Sequence, residues 1–564
     1  MYIYQYIFGL ANEAVKRVAN WGTVDYKNVT RDMHRQMSPL YPIKPMIISV
    51  RLRNIVQGTI EPTDIAVLPP YELVAALGKN PALFNLVNLG NKDRSCIAKY
   101  WDNTMRSDWG KAHPANTSLS ASRDRLVPKI WHSDGAQVFD GTEFHVFSTS
   151  SAVSHGVGDI LDQKLLVCII ETARLVKESF EDIEWFLTWD NFVQEGRVHP
   201  EEDHLGRPFA GRDPDRAMRA TWPLTGTSIE ESFGGSFVSW AGDGKEEAIV
   251  HCLQRNYHCN FLCKRCYGNS HLKACSAYDF SEDAEWKANQ ISTPEYFRIT
   301  PEEEQTPLRW LPQWALERNR PDDLHTWWLG HGKDFGGSIM KDLGEFYDRR
   351  FDIGLHLLWQ DLFRNPLPGG KLLWKKPWTN TMFKVSNSKV VYPVLADRIK
   401  GSMCRNLCHV LAVKAINIFE VGQDGSAWSR HRALLCYYFR SYRHILSLAS
   451  DSGDPHLSVE DAQKAQRYGR LYLIVYQHLS YWSHQENYLL YKMRPKMHYV
   501  AHVIEDLTLF YENQVLCDSF GWEDFVGKIK KIAIKTHKCT TNMEATLRYL
   551  LFLAGRWHRR SLPC

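Results

Sequence analysis

Two pairs of residues could bind one metal ion, although they lie far apart in the chain. Cys263 and Cys266 form a CxxC motif in "NFLCKRCYGNSH", and this spacing lets two thiolates from one turn reach a tetrahedral Zn²⁺. His498 and His502 lie in "RPKMHYVAHVIEDL" at positions i and i+4, so they share one face of a predicted helix. A site with these four protein ligands has no open position, and its zinc would be structural.

Each half of this site also has a simpler interpretation. The chain contains 23 histidines and 13 cysteines, so an i, i+4 histidine pair can arise by chance and a CxxC motif also occurs without metal. Cys259, His271 and Cys275 lie close to the motif and could compete as ligands. The zinc hypothesis therefore requires both pairs to meet in the fold, where closing so long a loop would add several kcal/mol of stability.

Acidic residues next to predicted strands could bind a second kind of metal ion. Asp134 is placed at the end of one strand in "WHSDGAQVF", and Asp243 lies just past another in "SWAGDGK". A third carboxylate could come from a later helix, where "SFGWEDFVGKIKK" offers Glu523 with Asp524 beside it. Two Mg²⁺ ions held by such oxygens would activate a water or a 3′-hydroxyl in a phosphoryl displacement. Most of the 64 acidic residues are expected to be solvated, so only their shared placement favours this interpretation.

The elements that would position these residues change along the chain. Strands are predicted at "RLVPKIWHSDGAQVF", "TEFHVFSTSSAV", "KLLVCIIETA" and "GGSFVSWAGD", and helices at "ARLVKESFEDIEWFLTW" and "KEEAIVHCLQRN". This order indicates a mixed α/β sheet. From about residue 335 to 515 the sequence is mainly helical and aromatic, so a large helical block interrupts the α/β core. The predicted units are an N-terminal region (1–125), the first part of the core (126–275), the helical insertion (276–495) and the return to the core (496–564).

Composition limits the class of protein. With 564 residues, 44% of them hydrophobic and 12% aromatic, the chain is too apolar to be disordered and long enough for several folding units. A net charge of +4 leaves room only for local basic patches, such as "GKIKKIAIKTHK" and "RWHRR", which could contact DNA or be solvated helix faces. The opening "MYIYQYIFGL" lacks the features of a signal peptide, and we expect a soluble, intracellular protein with reduced cysteines.

The order of these motifs resembles that of a known family. Asp134, Asp243, the CxxC motif, the paired histidines and Glu523 follow one another as in the DDE transposases of the CACTA–Mirage–Chapaev group and the related transposase-derived recombinase of vertebrate immunity. The segments "HSDGAQVF", "DDLHTWWLGHGKDFGGS", "RPKMHYVAHVIEDL" and "GWEDFVGKIK" look like motifs of its CACTA (En/Spm-like) and Plavaka-type branch. The resemblance covers roughly residues 60 to 555.

The resemblance implies a ribonuclease H-like core interrupted by a helical insertion. It implies a nuclear enzyme that acts on double-stranded DNA as a homodimer, cutting transposon ends and joining them to target DNA with Mg²⁺ or Mn²⁺. The metal ligands that it implies are the catalytic Asp134, Asp243 and Glu523 and the zinc-binding Cys263, Cys266, His498 and His502.

Several features depart from the family pattern. Asp524 follows Glu523 where the family often has arginine, so either residue could be the third acid. Asp323 and His325 match a family segment without an assigned role, and Asp323 is better explained as a helix cap. Residues 1–125 contain no recognisable zinc finger or helix-turn-helix. The alternatives are a catalytically inactive, zinc-stabilised protein that binds DNA or protein, and an unrelated soluble enzyme whose cysteines are merely buried.

Overall fold

The structure is a computed structural model in which part of the chain is described. The described residues are 41–154, 159–242, 260–271, 275–364, 376–383, 385, 388–421, 426–514 and 519–561. Asp243, Cys259 and the predicted helix "KEEAIVHCLQRN" lie outside them. Within the described part of the chain, no helix combines the length and the apolar character needed to cross a membrane.

The described strands form two sheets. Their bounds are β1 Met46–Arg53, β2 Ile60–Val67, β3 Leu126–Phe139, β4 Thr142–Ser151, β5 Lys164–Glu171 and β6 Gly234–Ala241. Strands β1 and β2 form an antiparallel hairpin, and the larger sheet has the order β5-β4-β3-β6. Within it, β3 is antiparallel to β4 and parallel to β6. The prediction of a mixed α/β sheet from these four segments is confirmed.

Helices make up most of the remaining described chain. Their bounds are α1 Pro70–Gly78, α2 Pro81–Leu89, α3 Ser95–Thr104, α4 Asp108–Ala112, α5 Ile160–Gln163, α6 Lys177–Gly196, α7 Pro214–Arg219, α8 Glu285–Ala288, α9 Thr293–Ile299, α10 Gly332–Tyr347, α11 Phe351–Arg364, α12 Asn380–Phe383, α13 Gly401–Val421, α14 Ala427–Asp451, α15 Val459–Gln485, α16 Pro495–Phe510, α17 Phe520–Ala533 and α18 Thr541–Ser561. Helices α10 to α16 contain the large helical region that the sequence predicts, and a π-helical segment at Leu324–His331 leads into it.

Strand β3 is longer than the sequence analysis predicts. Asp134 was expected at its end, but β3 continues to Phe139 because β4 pairs with it along the whole hairpin, up to the pair between Phe139 and Thr142. The parallel pairing with β6 is shorter and ends at the pair between His132 and Ala241. Asp134 therefore lies inside the hairpin but two residues beyond the last β6 pair.

Both faces of the larger sheet are covered. All residues of β6 and nearly all of β5 are buried, as expected for apolar strands with helices on both sides. Helix α6 packs on β6 and β1, whereas α17 packs on β3 and α18 on β5. The segment between β2 and β3 shares this core, and the indole of Trp101 donates a hydrogen bond of 2.7 Å to the carbonyl of Leu126. The end of the chain thus returns to the sheet that its middle part builds.

Candidate functional site

The two predicted half-sites meet in one buried cluster. The Nε2 atom of His502 lies 3.2 Å from the Sγ atom of Cys263, and Nε2 of His498 lies 3.2 Å from Sγ of Cys266. The two Nε2 atoms are 3.1 Å apart, and all four ligand atoms lie within 4.8 Å of one another. Tetrahedral Zn²⁺ would hold a sulfur and a nitrogen about 3.5 Å apart. This Cys₂His₂ cluster can therefore hold a zinc ion.

Contacts around the Cys₂His₂ cluster orient its ligands. The Nδ1–H group of His498 donates to the carbonyl of Ala277 at 3.0 Å, which directs Nε2 towards the cysteines. The backbone N–H groups of Arg265 and Gly268 each donate to a cysteine sulfur at 3.3 Å. At Gly268 a Cβ atom would lie 3.0 Å from the His498 ring, so a larger residue would force the ring to shift. Trp286 packs against the rings of both histidines.

An ion pair beside the cluster connects the CxxC turn to α16. Arg265, between the two cysteines, donates to both carboxylate oxygens of Asp506 at 2.7 and 2.6 Å. Both side chains are almost fully buried. Since Asp506 follows His502 by one helical turn, the same face of α16 supplies a candidate zinc ligand and the partner of the arginine. The sequence analysis missed this pair, although the i, i+4 spacing and a basic residue inside the CxxC motif were visible.

The electrostatics of the two thiols differ without a metal. Burial raises the pKa of Cys266. Burial opposes ionisation of Cys263 as well, but its hydrogen bond with Cys266 and the nearby imidazole of His502 outweigh that effect and lower the pKa. A metal ion would take the place of the remaining proton.

Two of the three competing ligands lie among the described residues. Cys275 and His271 are described but do not belong to the Cys₂His₂ cluster, and Cys259 lies outside the described residues. All four cluster residues are at most 2% exposed. Because the protein supplies four ligands in a closed pocket, the metal would have no position for a substrate.

Helix α17 brings Glu523 to the sheet. The ring of Trp522 stacks on His132 of β3, with centroids 4.4 Å apart and planes 6° from parallel. The Nζ atom of Lys164 lies 3.3 Å above the same indole. Because side chains alternate along a strand, His132 and Asp134 point to the same face of β3. Glu523 and Asp134 therefore belong to the region where α17 crosses β3.

Of the three predicted acids, Asp134 and Glu523 lie among the described residues. Among the described residues, the Cys₂His₂ cluster is the only set of three or more potential ligands that meet so closely. Asp134 is half-buried and accepts a hydrogen bond from the Gly135 backbone, and the Glu523 side chain is 46% exposed. The alternative third acid, Asp524, pairs with Lys528 at 3.1 Å. Asp243 lies outside the described residues.

The Asp-Asp-x-His segment has a different role from the predicted one. Asp323 stands at the N-cap position of the π-helical segment, but its side chain does not cap the helix: its carboxylate accepts two hydrogen bonds of 2.7 and 2.8 Å from Arg443 in the helical core. Asp322 caps the segment instead, since its oxygens accept from the backbone N–H groups of Leu324 and His325. The buried Arg443 explains the difference, because an unpaired arginine in that core would cost several kcal/mol.

Asp322 also connects His325 to α17. One oxygen of Asp322 lies 2.6 Å from Nδ1 of His325, and the other accepts from the backbone N–H of Ser519 at 2.7 Å. Burial alone would raise the pKa of Asp322, but these hydrogen bonds and His325 outweigh it and lower the pKa. On the other side of the ring, Nε2 of His325 lies 3.3 Å from Oε1 of Glu523. The sequence analysis left His325 without a role because Glu523 is distant in sequence.

In the predicted basic patches, some of the basic side chains are paired with acidic residues and others are exposed. In "GKIKKIAIKTHK", Lys528 pairs with Asp159, whereas Lys531 and Lys535 are exposed. In "RWHRR", Arg556 pairs with the buried Asp162, and the side chains of residues 558 to 560 lie outside the described part.

Comparison of the whole chain with protein-family models and with curated proteins finds no match in either case.

Proposed function

We propose that the chain is a DNA transposase, or a domesticated derivative of one, with a catalytic site of Asp134, Asp243 and Glu523 and a structural zinc. The observation that carries this proposal is the Cys₂His₂ cluster, in which each cysteine lies 232 to 239 residues before the histidine it contacts. The resemblance to CACTA-like transposases implies these four ligands in this order. A chance pairing of unrelated CxxC and histidine motifs would rarely produce a closed tetrahedral site.

The sheet gives further support to a ribonuclease H-like core. Three antiparallel strands are followed by α6 and by β6, which is parallel to β3, as that fold requires. Asp134 and Asp243 each follow the last β3–β6 register pair by two residues in sequence. The proposal requires both acids to meet at this end of the β3–β6 pairing. A small cleft at that edge is lined by the end of β6 and by Asp322.

The proposed site has the ligand atoms that Mg²⁺ prefers. Carboxylate oxygens from β3 and α17 would bind the ion, and the exposure of Glu523 leaves room for waters and substrate phosphates. When bound, Mg²⁺ would activate the attacking oxygen and stabilise the leaving oxygen. The stack of His132 and Trp522 fixes α17 on β3, and the exposed Lys531 and Lys535 would contact DNA phosphates. Homodimers, as in the related transposases, and a nuclear location are part of this proposal.

Strand transfer into plasmid DNA tests the catalytic proposal. We expect the purified chain to join labelled duplex ends to a supercoiled plasmid in Mg²⁺ or Mn²⁺, and the Asp134→Ala and Glu523→Ala variants to fall to background. Asp524→Ala is the matched control, because it removes the neighbouring acid on the same helix. Zinc content should stay unchanged in all three variants, since none of the three residues belongs to the Cys₂His₂ cluster.

The outcomes separate the candidate functions. Joining at the wild-type level in Asp134→Ala would refute the proposed chemistry. Loss of joining in Asp524→Ala with full activity in Glu523→Ala would identify Asp524, instead of Glu523, as the third catalytic acid. A wild-type chain that holds one zinc and binds DNA, but neither cuts nor joins it, would be the catalytically inactive binding protein.

A further inference from the structure

His325 has the surroundings of a metal-binding histidine. Its Nδ1 atom faces a buried carboxylate oxygen of Asp322 at 2.6 Å, and histidines that bind metal through Nε2 commonly donate their other N–H to such a group. Its Nε2 atom faces Oε1 of Glu523 at 3.3 Å. Two ligands that share one ion lie between about 3.0 Å (octahedral) and about 3.4 Å (tetrahedral) apart. The distance between nitrogen and oxygen therefore fits a shared ion.

The backbone around His325 is held in place from several sides. The carbonyl of His325 accepts a hydrogen bond of 3.0 Å from Nζ of Lys496. The segment Leu324–His331 is π-helical and has a non-helical kink at Gly330, where a Cβ atom would lie 2.7 Å from the His325 carbonyl. Single π-helical turns are rare and occur often at functional sites.

One carboxylate positions both partners. Asp322 binds Nδ1 of His325 through one oxygen and the N–H of Ser519 through the other. Ser519 directly precedes α17, and its carbonyl accepts from the backbone N–H of Glu523 at 2.7 Å. Asp322 therefore fixes the ring and the start of the helix that carries the facing acid. The Glu523 side chain is 46% exposed and that of His325 is 22% exposed, so water can complete the coordination of an ion.

We propose that Nε2 of His325 and the carboxylate of Glu523 together bind a divalent transition-metal ion such as Mn²⁺ or Co²⁺. An imidazole ligand favours these ions over Mg²⁺ and Ca²⁺, which prefer an all-oxygen environment. This site is distinct from the Cys₂His₂ cluster. It shares Glu523 with the proposed catalytic site, and in that respect it rests on the proposed function, but the binding itself requires no DNA chemistry.

Electron paramagnetic resonance with Mn²⁺ tests this site directly. Mn²⁺ is added to the full chain holding one zinc per molecule, and the echo modulation from ¹⁴N reports an imidazole nitrogen bound to the ion. We expect this modulation in the wild type and its loss in His325→Gln, whose amide oxygen can still bind metal. In His325→Leu the affinity for Mn²⁺ should fall at least about tenfold. His484→Leu, which removes an exposed histidine at the end of α15, is the control and should leave both readouts unchanged.

The outcomes distinguish the metal-site inference from the proposed catalytic function. Wild-type protein without ¹⁴N modulation, or modulation that persists in His325→Gln, overturns the inference. If Mn²⁺ binding then still depends on Asp134 and Glu523, the proposed catalytic site survives without His325. If the modulation depends on His325 while Asp134→Ala changes neither metal binding nor strand transfer, the new metal site stands and the proposed catalytic function fails.

Discussion

Removing one zinc ligand should unfold a large part of the molecule at a lower temperature. Cys266→Ser takes away one ligand of a site that connects the CxxC turn to α16 across 232 residues. Treated as a single cross-link, closure of a loop of that length is worth about 5 kcal/mol. For a cooperative unit of a few hundred residues, that loss corresponds to a fall of about 10 °C in the unfolding midpoint.

The assay combines metal analysis with thermal unfolding. Wild-type protein should carry one zinc per chain, and Cys266→Ser should carry much less and unfold at the lower temperature. Adding a strong chelator should lower the wild-type midpoint but leave that of Cys266→Ser nearly unchanged. Cys275→Ser is the matched control, because Cys275 lies in the same segment but outside the cluster.

The loss of order should begin next to the cluster. Residues 260–271 contain only isolated bridges, such as those of Phe261 with Asn269 and of Cys266 with Gln290, so a bound metal would supply much of their order. Protease cleavage should therefore appear first in this segment. If Cys266→Ser keeps both its zinc and the wild-type midpoint, or if Cys275→Ser loses them, the assignment of the ligands is wrong.

Three further predictions concern buried contacts. Arg265→Leu should cost about 3–5 kcal/mol of unfolding free energy in denaturant titrations, because it leaves the Asp506 carboxylate buried without its partner; combining it with Asp506→Leu should recover part of that loss. Burial raises the pKa of Asp190 to about 7. The folded chain therefore keeps a proton that the unfolded chain releases above about pH 4. Because of this difference, the contribution of Asp190 to stability falls as the pH rises from about 4 to about 7. Asp190→Asn should remove this slope when unfolding is compared at pH 5 and pH 8. Trp522→Ala should cost about 3–5 kcal/mol by the same titrations, and an unchanged midpoint would show that the stack with His132 does not hold α17.

The sequence predicted the elements better than their ends and pairings. Strands β3 to β6 were recognisable because their apolar runs are bounded by turn residues, and the zinc ligands because their spacing is characteristic. The end of β3 was misplaced at Asp134, since the extent of a hairpin depends on its partner strand. The cap was assigned to Asp323 instead of Asp322, because only the fold reveals that Arg443 needs a buried carboxylate. Contacts between distant segments, such as His325 with Glu523, leave no local pattern.

Two separate connections return the end of the chain to the sheet. The Cys₂His₂ cluster holds α16 from one side, and Asp322 binds Ser519 at the start of α17 from the other. Only residues 511–519 separate the two helices, so fixing α16 leaves α17 little freedom, and the Asp322 contact then sets its first turn. A zinc ion in the cluster would therefore offset part of the entropy cost of closing the long insertion, whereas Asp322 orients the first turn of α17, which carries Glu523. Loss of zinc should accordingly lower stability and disturb both proposed sites, whereas loss of the His325 ring should affect the metal bound at Glu523 and leave the zinc in place.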